Sequence, residues 1–203
     1  GTFASNADRL TIDAGVLVNE AGRIEHAGSQ GLELNAGTLA GVDGAVMTAG
    51  AAHMSVGQAD HRGATLSATQ VTLDAVAFDN RGGRIAASGT SASTLTASTL
   101  DNGDDGLIAS QGDLHIQADT FSNAGGTVQH AGEGDLTVAA ATLDGAGGAI
   151  ASNGTLTLTG GHADLRGGTT SARQISVDTG SLTTADGTLI ATGDGPLQLQ
   201  IRD

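Results

Sequence analysis

The stretch from Leu114 to Asp135 reads LHIQADTFSNAGGTVQHAGEGD and decides the fold of this chain. If Leu114 is numbered position zero, Leu114 and Ile116 alternate with polar residues, as on a strand with one buried face. Phe121 and Val128 return to that face after bends that asparagine and paired glycines mark. A unit of this size cannot bury its own apolar face. It therefore has to stack on copies of itself.

The sequence supplies about ten copies, which can be aligned in columns. Position zero is Leu10, Leu32, Met54, Val71, Ser93, Leu114, Leu136, Leu156, Ile175 and Leu197. Position two is aliphatic throughout: Ile12, Leu34, Val56, Leu73, Leu95, Ile116, Val138, Leu158, Val177 and Leu199. Position seven is Leu17, Leu39, Phe78, Leu100, Phe121, Leu143 and Leu182, with His61 and Ala163 as exceptions. Position fourteen is Ile24, Val46, Ile85, Leu107, Val128, Ile150 and Leu189.

Two further columns describe the turns and the outer surface. Position one is polar in every unit: Thr11, Glu33, Ser55, Thr72, Thr94, His115, Thr137, Thr157, Ser176 and Gln198. Position nine holds only asparagine or glycine in seven units: Asn19, Gly41, Gly63, Asn80, Asn102, Asn123 and Gly145. Because these two residue types accept a left-handed backbone most readily, position nine predicts a positive-φ bend. Stacked asparagines there are also able to form a hydrogen-bonded ladder.

These columns predict an all-β fold, a right-handed parallel β-helix of about nine to ten coils with about 21 residues per coil. At about 4.8 Å per coil the rod is roughly 45 Å long. We expect residues 1–203 to form a single repeat domain, a fragment of a longer rod. Residues 54–70 and 156–174 are irregular, since the first lacks an aliphatic at position fourteen and the second has Thr170 there. We expect a bend or a contact point in these two units.

Composition narrows the possible functions. The net charge is −14, and all eight cations are arginine, so nucleic acid and anionic membranes are unfavourable partners. No apolar run approaches the roughly 20 residues of a membrane span. The absence of cysteine excludes disulfides and thiolate-bound metals. The chain opens without a signal peptide, and we expect it to come from inside a longer protein.

Three segments carry a resemblance to a known family: LDAVAFDNRGGRIAASG (Leu73–Gly89), FSNAGGTVQHAG (Phe121–Gly132) and LDGAGGAIASNGTLTLTG (Leu143–Gly160). They resemble the haemagglutinin repeats of filamentous haemagglutinin and related two-partner-secretion exoproteins, including contact-dependent growth inhibition toxin carriers. The resemblance implies a structural shaft or adhesin segment, secreted and displayed on a bacterial surface, which projects a distal binding or toxin domain. It also implies an outer-membrane transporter as partner during secretion, and a target-cell receptor or carbohydrate afterwards.

The alternative function is a polysaccharide-binding or -cleaving β-helix enzyme, which needs clustered carboxylates, often with Ca²⁺. The densest acidic group is Asp101, Asp104 and Asp105, which is more typical of a solvated turn. Four histidines are expected at outward or turn positions: His26, His53, His115 and His130. His61 is expected in a locally opened core, and His162 neighbours Asp164 in an irregular unit. The sequence thus assigns no residue to catalysis, a cofactor, a metal or a receptor.

Overall fold

The chain folds into strands of two alternating lengths. The computed structural model describes residues 1–202, so the predicted domain ends one residue beyond the described part. The described residues contain no helix. The strands are β1 (Thr2–Ser5), β2 (Leu10–Val18), β3 (Arg23–His26), β4 (Leu32–Ala40), β5 (Ala45–Thr48), β6 (Ala51–Asp60), β7 (Thr65–Ala68), β8 (Gln70–Asp79), β9 (Arg84–Ala87), β10 (Ser93–Asp101), β11 (Leu107–Ser110), β12 (Leu114–Ser122), β13 (Thr127–His130), β14 (Asp135–Asp144), β15 (Ala149–Ser152), β16 (Thr155–Asp164), β17 (Thr169–Ala172), β18 (Gln174–Thr183), β19 (Thr188–Ala191) and β20 (Leu197–Ile201).

The strands form two parallel sheets that run the length of the molecule. The even-numbered strands build one ten-stranded sheet and the odd-numbered strands build the other, each in sequence order. Every strand therefore pairs with the equivalent strand one turn before and one turn after it. This is a parallel β-solenoid of about ten turns, as the sequence predicts. The right-handed sense of the coil stays a prediction.

The interior is a narrow stack of aliphatic side chains, because alternate residues of each strand point inward. Leu34, Leu73 and Val138 are at most 1% exposed, which confirms the inward direction of position two. Leu100 stacks in register between Phe78 and Phe121, and all three are buried. Position four is an additional inward column, which the spacing of the large apolar residues does not predict. Its residues are mostly alanine: Ala14, Ala36, Val56, Ala75, Ala97, Ala118 and Ala140.

Each long strand bends once, directly after position four. Two successive residues then point outward, as at Ser98 and Thr99 in β10, before the next inward residue, Leu100. The parallel pairing skips the first of the two residues and resumes at the second. The bend gives the turn its return direction, and the space just before it suits a side chain as small as Ala97.

The register predicted for the third turn is wrong by two residues. Leu32 pairs with Ala52 and Leu34 pairs with Met54, so Ala52 is position zero and Met54 is position two. In this register Ala59, and not His61, is position seven, and Val56 moves to position four. Position one is His53 rather than Ser55, and position nine is His61 rather than Gly63. A shift of two keeps every side chain on the same face, so alternation alone cannot detect it.

The irregular units keep a filled core, contrary to the expectation of an opened one. In residues 54–70, Leu66 pairs with Val46 at position fourteen and is fully buried. In residues 156–174, the small Ala163 and the polar Thr170 do face inward, and both are buried. Leu165 is also buried there and supplies the volume that Ala163 lacks. The structure therefore shows no weakened core at these places.

The assignment of Leu107 to the core is also wrong. Ile108 pairs with Ile85 and Val128 and is fully buried, whereas Leu107 points outward and is half-buried. The cause is one extra residue in the preceding turn, where Asp104 and Asp105 both have positive φ, 50° and 65°.

Gly63 has the predicted positive φ, but in the other six turns with a predicted bend residue the positive-φ residue lies two positions later. Asn19, Asn80, Asn102 and Asn123 have no positive φ. The left-handed residues at the equivalent place are Ala21, Asp43, Gly63, Gly82, Asp104, Gly125, Gly147, Gly167 and Asp186. At position nine, asparagine thus contributes the hydrogen bonds of its side chain and not a left-handed backbone.

The inward register predicts different costs for two neighbouring substitutions. Leu158 is buried between Val138 and Val177, and Thr157 points outward beside it. Leu158→Asp should cost several kcal/mol, because it buries a carboxylate without a partner. Thr157→Asp should cost less than about 1 kcal/mol. Urea unfolding followed by circular dichroism measures both, and equal midpoints would show that the register is wrong.

The extra residue of the fifth turn allows a second matched pair. Ile108→Asp should destabilise the protein by several kcal/mol, because position fourteen is dry. Leu107→Asp should cost less than about 1 kcal/mol, since its side chain already contacts solvent. Thermal melting compares the two variants. If Leu107→Asp lost more stability than Ile108→Asp, Leu107 would be the inward residue and the turn would have the regular spacing.

Candidate functional site

Two columns of polar side chains lie at the bend that directly follows each of the long, even-numbered strands. A column of four side chains lies on the inner side of this turn: His61, Asn80, Asn102 and Asn123. We call this column the amide ladder. Its members are no more than 2% exposed, and the asparagines are fully buried.

Hydrogen bonds join each member of the amide ladder to the next. His61 Nδ1 lies 2.8 Å from Asn80 Oδ1. Asn80 Nδ2 donates to Asn102 Oδ1 at 2.7 Å, and Asn102 Nδ2 donates to Asn123 Oδ1 at 2.8 Å. The ladder predicted for position nine is confirmed, with His61 in place of a glycine.

The amide ladder also ties the backbone of successive turns together. Asn102 Nδ2 reaches the carbonyl oxygens of Gly106 and Thr127, each at 3.1 Å. Asn123 Nδ2 reaches the carbonyl of Ala149 at 3.1 Å. One buried amide thereby contacts its own turn and the turn that follows. The asparagine amides are thus satisfied, and they fix the shape of the bend that follows each long strand.

A second column lies on the outer side of the same turn and consists of aspartates at position eight: Asp60, Asp79, Asp101, Asp144 and Asp164. Each carboxylate accepts a hydrogen bond from the backbone N–H two residues later, at 2.9 to 3.4 Å. This is an Asx turn repeated from coil to coil. These aspartates therefore have a structural role.

Arginines neutralise this outer column. Arg62, Arg81 and Arg166 each form a salt bridge with the aspartate two residues earlier, at 2.6 to 2.7 Å. Arg81 also lies 3.5 Å from Asp101, on the next turn. Ion pairs thus join the aspartates of this column from one turn to the next between Asp60 and Asp101.

The ion pairs keep the carboxylates ionised. The hydrogen bonds from Arg62 lower the pKa of Asp60, and those from Arg166 do the same for Asp164. Partial burial works to raise the pKa of Asp79, but the hydrogen bonds from Arg81 outweigh it and leave that pKa below its usual value. A general acid has to hold a proton near neutral pH, so these carboxylates are unsuited to that role.

The acidic group Asp101, Asp104 and Asp105 does not assemble into a metal site. Asp101 accepts from the Gly103 N–H at 2.9 Å and lies beside Arg81. The Asp104 side chain is 79% exposed and points into solvent. Within residues 1–202, no three carboxylate, imidazole or thiol groups are placed to share a metal ion.

Two of the histidines were assigned to the wrong side of the coil. His53, His115 and His162 point outward as expected. His26 and His130 point inward at position sixteen and are 3% and 1% exposed. Position sixteen lies two residues after the aliphatic position fourteen, and this spacing is the signal that places it on the inner face.

The buried histidines face small polar neighbours or none. His130 Nδ1 lies 2.9 Å from Ser152 Oγ on the next turn. Burial lowers the pKa of His130, against the opposing charges of Asp113 and Asp135. Neither ring nitrogen of His26 has a hydrogen-bond partner. Outside, His162 Nδ1 lies 2.6 Å from Ser181 Oγ in an exposed pair.

Comparison with known families agrees with this geometry. The sequence model of the haemagglutinin repeat matches residues 3–92, 90–137 and 131–194. The chain belongs to the haemagglutinin repeat family. Searches of curated proteins and of solved structures found no match. Where a haemagglutinin repeat has a glycine pair at this bend, the first glycine is the left-handed residue, as at Gly82 and Gly125.

The outer surface of these haemagglutinin repeats carries one shallow groove beside the aspartates. Its outward side chains are Thr38, Gln58, Asp60, Asp79, Thr99 and Asp101. Residues 1–202 include no helix with the length and hydropathy of a membrane span.

The amide ladder predicts a large effect for one substitution. Asn102→Ala leaves Asn80 Nδ2 and Asn123 Oδ1 without their closest partners in a dry interior. The expected loss of unfolding free energy is about 2–4 kcal/mol. The control is Asn35→Ala, which removes a surface hydrogen bond to Asp13 and should cost less than about 0.5 kcal/mol. Chemical denaturation measures both, and equal losses would contradict the role of the ladder.

Proposed function

We propose that this chain is a segment of the structural shaft of a filamentous haemagglutinin-like exoprotein. The shaft is secreted, displayed on a bacterial cell surface, and projects or delivers a distal binding or toxin domain. Its partners are the outer-membrane transporter of a two-partner system and, later, a receptor or carbohydrate of the target cell. Membership of the haemagglutinin repeat family supports this assignment.

The observation that carries the proposal is the continuity of the stack. Parallel pairing links all ten even-numbered strands and all ten odd-numbered strands without a break. The recurrent side chains serve this stacking: aliphatic residues fill the interior, amides link the turns, and aspartates cap them. A continuous stack of this kind is a stiff rod, whose function is to hold its two ends apart.

Changing the number of turns tests this function. Four extra copies of residues 71–92, inserted after Ala92, repeat one complete coil and keep the register. They should lengthen the rod by about 19 Å and preserve the β-sheet signal. Small-angle scattering measures the length. In the exported parent protein, the same insertion should leave the activity of the distal domain intact.

A half-turn insertion is the matched control. One copy of residues 82–92, inserted after Ala92, adds half a coil: it places outward residues over inward ones, so it should not lengthen the rod or add to the β-sheet signal. If the half-coil insertion also lengthened the rod and added to the β-sheet signal, the stacking register would not matter for the shaft.

A separate assay addresses the enzyme alternative. The purified chain, incubated with acidic and neutral polysaccharides with and without Ca²⁺, should show no turnover. Cleavage that disappears when Asp101, Asp104 and Asp105 are replaced by asparagine would replace the shaft with a carbohydrate-active enzyme. The asparagine variants keep the size of the side chains, so that a loss of activity would not be caused by altered packing.

A further inference from the structure

The direction of the amide ladder is fixed by the backbone. Asn102 Nδ2 and Asn123 Nδ2 each contact two backbone carbonyl oxygens, and a carbonyl oxygen can only accept. The amide groups therefore cannot be turned around. Each asparagine donates a hydrogen bond to the next turn toward the C-terminal end and accepts one from the preceding turn. Asn80 Oδ1 therefore has to accept a hydrogen bond from His61.

This direction determines the tautomer of His61. The proton lies on Nδ1 and is donated to Asn80 Oδ1 at 2.8 Å. Nε2 is then the unprotonated nitrogen, and it is buried without a hydrogen-bond partner. The ring packs on Phe78, with 5.3 Å between the ring centroids. A second proton would have to bind at Nε2, where it would make a buried cation with an unpaired N–H.

The charged groups around His61 do not offer that proton a partner. On its own turn, Asp60 and Arg62 form a salt bridge with each other on the outside. On the following turn, Asp79 and Arg81 do the same, while Phe78 and Asn80 face the ring.

The preceding turn adds no partner either. It contributes Gly41, which has no side chain, and Asp43, whose carboxylate lies beside Gly63. Burial lowers the pKa of His61, and the hydrogen bond that His61 donates to Asn80 and the charge of Asp60 oppose this only in part.

We propose that His61 makes the shaft acid-sensitive at its own turn: proton uptake at Nε2 places a buried cation with an unpaired N–H at the start of the amide ladder and loosens the coil formed by β6 and β7 against β8 and β9. The neighbouring turns stay stacked, because stability in a solenoid is set by contacts between adjacent repeats. This property is independent of the proposed shaft function, since it concerns only the folding of the chain.

The sign of the pH effect follows from proton binding. A histidine in an opened coil titrates near 6.5, and the folded His61 titrates below that value. Below pH 6.5 the opened coil therefore binds a proton that the closed coil excludes, so the closed coil is fully favoured above 6.5 and loses its advantage as the pH falls. The aspartates paired with arginine act only at lower pH, below their usual value of 3.8.

Hydrogen exchange between pH 7.5 and 5.0, corrected for the intrinsic rate, tests the proposal on the unmodified chain. Protection within residues 51–83 should fall by up to about tenfold per pH unit below 6.5. His61→Asn continues the ladder with the residue type of its neighbours and should abolish this loss. The control His53→Asn changes an exposed histidine in the preceding strand β6 and should leave the loss as it is in the unmodified chain.

Two results would overturn the proposal. One is an unmodified chain whose residues 51–83 keep their protection at pH 5. The other is a His61→Asn variant that loses protection there as the unmodified chain does. If His61→Asn does not fold, an NMR titration of the His61 imidazole in the unmodified chain decides. Titration below pH 6.5 supports the proposal, and titration at or above that value overturns it.

Discussion

The structure depends on the parallel hydrogen bonds that each turn of the coil makes with the turns on both sides of it. A turn cannot satisfy its own backbone N–H and C=O groups, because its strands lie side by side only with those of other turns. The same backbone path must therefore recur about every 20 residues. Side chains at equivalent positions therefore lie directly above one another and form columns along the rod.

The inner and outer columns meet at the turn after the long strands. On the inside, buried amides link successive turns, and on the outside, aspartates accept hydrogen bonds from backbone N–H groups of the same bend. Aliphatic side chains have no means of bonding to the turn, so this is the place where polar residues are required. The asparagine and aspartate columns of residues 1–202 both lie at this bend, which is consistent with a structural role.

Much of this fold can be predicted from the alternation of apolar residues. Leu34, Phe121 and Val138 lie inside as the repeat requires. Register within a unit is harder to predict, because Met54 and Val56 fit the pattern equally well two positions apart. Leu107 was misplaced since an extra aspartate in a turn changes the count without changing the pattern. The buried His26 and His130 were missed because their column mixes alanine with polar residues, and composition alone does not reveal a narrow interior that accepts an imidazole.

The extra residue at Asp104–Asp105 has a consequence for the evolution of such rods. The turn bulges outward by one residue, yet Ile108 returns to its column and the strands on both sides remain paired. The length of the rod therefore depends on the number of coils and not on the number of amino acids. A gene that gains codons at this turn gains a surface loop, whereas a gene that duplicates a whole coil gains reach. Loop content and reach can thus change independently in descendants of one ancestral repeat.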